Sequence, residues 1–156
     1  MDTPLFCLVK RKTIHLLQAD AFHTIIIIEN MQNKRGVLIM KFDETGFEGQ
    51  EVKFAHIRHA AEASGFVHAE QWDYERATFD YKIVNQGDTY YLRVPIYAIK
   101  GDIPKNETIC RMMTPLLGKH YYPHGVEYAG EDFPESVVTK SQSKLDLLKH
   151  TLEQEV

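Results

Sequence analysis

Polar and apolar positions alternate most regularly between Gln71 and Pro104, where two runs of aromatic and β-branched residues flank Asn85-Gln86-Gly87-Asp88. Glycine tolerates the positive φ of a tight antiparallel connection, so the pattern predicts a hairpin over about 76–100. With Gln86 and Gly87 as the loop, Val84 faces Thr89, Ile83 faces Tyr90, Tyr81 faces Leu92 and Phe79 faces Val94. The face that Phe79, Tyr81 and Ile83 share with Tyr90, Leu92 and Val94 is apolar. On the other, Asp80 falls opposite Arg93 and Lys82 opposite Tyr91, the complement that cross-strand pairs favour. A slip of one residue would turn every side chain over, so the agreement of both patterns fixes the register. Pro95 has no N–H to donate and is expected at an edge or a bulge.

Other elements follow from the same reading. Phe54, Ile57, Ala61 and Ser64 recur at helical spacing, which predicts an amphipathic helix over about 50–64 with Gly65 as its left-handed C-cap. Leu145, Leu148 and Leu152 predict a C-terminal helix over about 143–155, with Ser141 or Ser143 as N-cap. Residues 40–45 suit a short strand and 108–114 a further one, closed by Pro115. The stretch 118–140, rich in Gly, Pro, Tyr and acidic residues, is expected to be long loops with one short strand. Together these predict an α+β domain: an antiparallel sheet of three to five strands built on the hairpin, with the two helices packed against it.

The segments WDYERATFDYKI and YYLRVPIYAIKGDI resemble the signature region of the YugN-like family, small cytoplasmic proteins of Bacillus-type bacteria, and the resemblance runs from about Met40 to about Leu117. It implies a compact α+β domain. It supplies no catalytic residues, cofactor or metal ligands, because the family has none assigned.

Residues 1–39 differ in character, with five basic against three acidic residues in a chain of formal charge −4. Two accounts fit. Met40 is the true start and the preceding residues translate a leader, or the extension is real and Thr24 to Ile28 form a strand. Residues 40–156 are then a single domain, the size expected of one core.

Eighteen Lys and Arg against twenty-two Asp and Glu argue against a general nucleic-acid binder, while leaving room for a local basic patch. Two cysteines, Cys7 and Cys110, make no disulfide framework and fit a reducing cytoplasm. The apolar run near the N-terminus is interrupted by His15, Gln18, Asp20 and His23, and no membrane span is expected.

The sequence contains no phosphate-binding glycine loop, HExxH, paired CxxC or GxSxG elbow. His56 and His59 share a helical face with Glu62 one turn on, a spacing that could present imidazoles to a metal, but both lie away from the Phe54 to Ala61 stripe and the favoured reading is a solvated face. His120 and His124 have the same two readings. No metal or cofactor is expected.

The densest chemistry surrounds the hairpin. Trp72, Asp73, Tyr91, Arg93 and Tyr97 are the candidate binding residues. Tyrosines beside an arginine offer contact area with polar tips, and a guanidinium offers a two-pronged fork to carboxylate or phosphate. The bland counterpart is that Asp80 neutralises Arg93 and the same chain covers the tyrosines. The expectation is a non-enzymatic binding module using the aromatic and arginine face, with a second copy of the chain as its simplest partner. The alternative is a small enzyme or ligand sensor holding an anionic molecule near Arg93 and Asp73.

Overall fold

The computed structural model describes residues 39–69 and 73–155, and every structural statement concerns those residues. In chain order the elements are β1 (Met40–Lys41), a 3-10 turn (Asp43–Thr45), β2 (Glu51–Lys53), α1 (Phe54–Ala63) and β3 (Val67–Ala69), then β4 (Arg76–Asn85), β5 (Asp88–Lys100), β6 (Ile109–Met112), β7 (Leu116–Tyr121), β8 (Gly125–Glu127) and α2 (Glu135–Glu155). The fold is α+β, an open antiparallel sheet with two helices, and the sheet has eight strands where three to five were expected.

The hairpin of β4 and β5 is the centre of that sheet. Its register matches the expected one at every pair, from Asn85 opposite Asp88 to Arg76 opposite Tyr97. Both loop residues, Gln86 (φ 50°) and Gly87 (φ 92°), have positive φ, as a type I′ turn demands. β3 flanks β4. On its other side β5 pairs first with β7, at residues 89–93, and then with β6, at residues 96–100. β1 and β8 line the far edge of β7, and β2 lines β6.

Pro95 therefore lies in an interior strand. It occupies the seam where β5 changes partner, between the Arg93–Leu116 and Ile96–Met112 pairs, and its carbonyl accepts the Met113 N–H at 3.0 Å. The register shift comes later, between Ala98 and Lys100. A seam leaves the missing donor without consequence, which is why neither an edge nor a bulge was needed.

The apolar side of the hairpin faces the core. Phe79, Ile83, Tyr90, Leu92, Val94 and Ile96 are buried with Phe54, Ile57, Ala60 and Ala61 of α1 and with Val137, Leu145, Leu148 and Leu152 of α2. Both helices thus cover the same face. The α1 terminus is a Schellman motif: Phe66 N–H reaches the Ala61 carbonyl, Gly65 N–H reaches that of Glu62, and Gly65 has φ 87°. Lys144 Nζ, on α2, then donates to the Ser64 carbonyl at 3.1 Å.

Several boundaries differ from expectation: the strand expected over 40–45 ends at Lys41, and Asp43–Thr45 is a 3-10 turn. Residues 51–53 are a strand rather than the first helical turn, because Val52 points into the core opposite Cys110 while Glu51 and Lys53 face outward. α2 begins eight residues early, after Pro134, and Ser141 is no cap. It is fully buried in the helix, with its hydroxyl donating to the Val137 carbonyl four residues back. The stretch 118–140 holds most of β7, all of β8 and the first turns of α2. The expected Thr24–Ile28 strand, and with it the choice between a start at Met40 and a real extension, falls on residues outside those described; of 1–39 only Ile39 is described, and it bridges to Ala129. No described helix is long and apolar enough to cross a membrane.

Candidate functional site: the open sheet face

Strand geometry alternates side chains between faces, so burying Phe79, Leu92 and Val94 necessarily turns Asp80, Tyr91, Arg93, Pro95 and Tyr97 to the other side. That side carries no helix among the described residues. Its floor is Thr78, Asp80 and Lys82 from β4 and the odd-numbered residues 89–97 of β5, extended by Leu116 and Gly118 of β7 and Arg111 of β6.

Arg93 is committed within the face. Its Nε and Nη2 donate to the two carboxylate oxygens of Asp80 at 2.8 and 2.6 Å, and both side chains are largely buried. The hydrogen bonds it donates to Asp80, together with the carboxylate charge, hold the guanidinium above its ordinary range despite opposition from burial. The ring of Tyr128 lies beside it, 5.9 Å from the guanidinium carbon, and burial pushes the Tyr128 phenol up while Arg93 pulls it down. Tyr128 reaches this position by lying over Gly118, the one β7 residue on this face without a side chain to obstruct it. Its hydroxyl is buried without a hydrogen-bond partner among the described residues.

Tyr91 sits opposite Lys82 and Gly118, edge-on to His120 with ring centres 5.9 Å apart. Tyr97 sits opposite Arg76 and Arg111; Arg111 donates to its hydroxyl at 3.3 Å and to Glu51 at 2.5 Å. At the Tyr97 end of the face, Glu75, Arg76, Thr78, Pro95, Tyr97 and Met113 line an open groove of about 560 Å³.

Asp73 is placed differently. Its Oδ1 accepts the N–H groups of Glu75 and Arg76 at 2.8 and 3.1 Å, which shapes the turn leading into β4. Arg76 is opposite Tyr97, four residues along β5 from Arg93, or about 13 Å at ~3.3 Å per residue. The structure does not bring Asp73 and Arg93 together, and Trp72 lies outside the described residues. His59 pairs with Glu155 at 2.8 Å, and no cluster of three metal-ligating side chains exists among the described residues.

Residues that the sequence reading did not select complete the face. Lys41, Arg76 and Lys82 are exposed on it and have no carboxylate partner among the described residues. The hairpin register alone places Arg76 and Lys82 with Tyr97 and Tyr91. Met113 and Lys41 depend on β6, β7 and β1, whose pairing no local pattern announces.

A model of the YugN-like family matches residues 44–151, more than half of the chain. The chain belongs to the YugN-like family. The match extends past Leu117 into α2. Among relatives, the chain is 43% identical over 115 residues to the uncharacterized protein YlbA of Bacillus subtilis, covering 73% of this chain and 96% of YlbA. It is 24% identical over 90 residues to the uncharacterized protein YugN of the same organism, covering 58% of this chain and 67% of YugN. The crystal structure of the uncharacterized conserved protein YugN from Geobacillus kaustophilus aligns with TM-score 0.65 at 45% identity, over 73% of this chain and 95% of that one. The YugN-like fold is thus shared with an experimental structure.

Proposed function

We propose that the chain is a non-enzymatic cytoplasmic binding module whose open sheet face docks a partner. The observation that supports this is the sidedness of the sheet: two helices cover one face, and the other keeps Tyr91, Tyr97 and an open groove. The alternative, an anionic ligand near Arg93 and Asp73, loses support because the Arg93 fork already holds Asp80 and the Asp73 carboxylate holds its own turn. Self-association is the simplest form of docking, yet a twofold arrangement would set the unmatched cations of one face against those of its copy.

Photo-crosslinking in cells tests the reading. Benzoylphenylalanine placed at Val84 or Met113 should yield a discrete adduct, whereas the same group at exposed Leu147 on α2 should not. The adduct mass separates a second copy from a different protein. Equal crosslinking from Leu147, or none from Val84 and Met113, would remove the open face as a binding surface.

A further inference from the structure

We infer that the open face takes an extended acidic polypeptide segment that seats one large apolar side chain in the groove beside Pro95. This rests on the binding reading above and goes further by naming the partner's chemistry. The first support is charge. The chain is acidic overall, at −4, while the strand residues of this face comprise Lys41, Lys53, Arg76, Lys82, Arg93 and Arg111 against Asp80 and Glu51. Asp80 and Glu51 each neutralise one arginine, and Lys53 leans on Glu107 at 3.3 Å. Among the described residues Lys41, Arg76 and Lys82 remain as outward cations, with Glu75 the one carboxylate at the groove, and this excess of positive charge on an acidic molecule favours an anionic partner and repels a second copy of the face.

The second support is the mixture of surfaces. Val67, Val84 and Met113 are 69%, 62% and 44% exposed around the same face, aliphatic groups that gain by packing against side chains. Single-stranded nucleic acid would instead need free aromatic platforms and a continuous basic track. Here His120 meets Tyr91 and Arg111 engages Tyr97. A polypeptide fits better.

Geometry sets the spacing. Arg76 and Lys82 lie six residues apart on β4, about 20 Å at ~3.3 Å per residue, with the groove near the Arg76 end. An extended segment matches it with carboxylates at its first and seventh positions and an apolar anchor at the third, all on one side because extended chains alternate.

The probe is a heptapeptide with Glu at positions one and seven, Phe at three and Ser elsewhere, titrated into the full chain and followed by amide chemical shifts. Saturable shifts confined to β4, β5 and the 113–115 connection are expected. Replacing both Glu by Gln, or using Arg76→Gln or Lys82→Gln protein, should weaken binding roughly threefold to fivefold per lost pair; Phe to Ser in the peptide should weaken it by about tenfold or more. Absence of shifts at millimolar peptide, indifference to these changes, or tighter binding of a uridine dodecamer would each overturn the proposal. If crosslinking from Val84 persists while the peptide fails, the docking face stands and only the acidic-peptide assignment falls.

Discussion

Gly118 shows how much of the open face depends on an absent side chain. A Cβ there would stand 2.5 Å from Val126 Cγ1, 2.8 Å from the Tyr128 ring and 2.9 Å from the Glu127 carbonyl oxygen. Its φ is not positive, so the requirement is purely one of space. Gly118→Ala is expected to cost about 1–3 kcal/mol in denaturant unfolding and to displace Tyr128 from Arg93. An unchanged midpoint would show that β8 can withdraw freely. Cys110 gives a prediction in pH. Burial pushes its thiol from 9.0 up to about 11. Because the folded value is the higher one, its contribution is complete below pH 9 and is lost as pH rises through about 11, on the order of 2–3 kcal/mol. Cys110→Ala should flatten that part of the alkaline stability profile, and the native thiol should resist alkylation at neutral pH.

At the scale of elements, the hairpin was fully legible because two independent patterns, apolar and charged, agreed on one register. Leu92→Ala should cost about 2–5 kcal/mol, since Leu92 is completely buried, whereas Lys82→Ala should cost little. Tyr81→Ala should fall between, because Tyr81 is only half-buried beneath Phe66 and the ammonium of Lys144, 4.7 Å from its ring centre. Equal losses at positions 81 and 82 would contradict the assigned faces. Other elements were obscured for identifiable reasons. The stripe of α2 continues back through Ser141 to Val137, but a buried serine looks like a cap in sequence. β7 and β8 are short strands in a stretch rich in Gly, Pro and Tyr, and the pairing of β7 with β5 and of β8 with β7 is set by tertiary contacts. The same holds for the groove: its Pro95 and Tyr97 were visible in the hairpin, while Met113 reaches it only through the connection after β6.

At the largest scale, the organising fact among the described residues is a sheet with one side covered by helices and the other not. Among the described residues the buried core runs from Met40 to Leu152, and the family match spans 44–151. A chain beginning at Met40 is accordingly expected to melt cooperatively near the full-length temperature by calorimetry. A molten or aggregated product would instead show that earlier residues complete the core.

The seam at Pro95 carries a kinetic consequence. β4 and β5 are hydrogen-bonded along their length, but the flanks β6–β2 and β7–β1 attach to different halves of β5 and do not pair with each other. Such an arrangement divides the sheet into a spine and two leaves able to open separately. Native-state hydrogen exchange should then find the slowest amides at Tyr81, Ile83, Leu92 and Val94, with the Cys110 and Leu117 amides opening at distinct free energies. A single opening energy shared by both leaves would mean that the core, rather than the strand ladder, determines cooperativity.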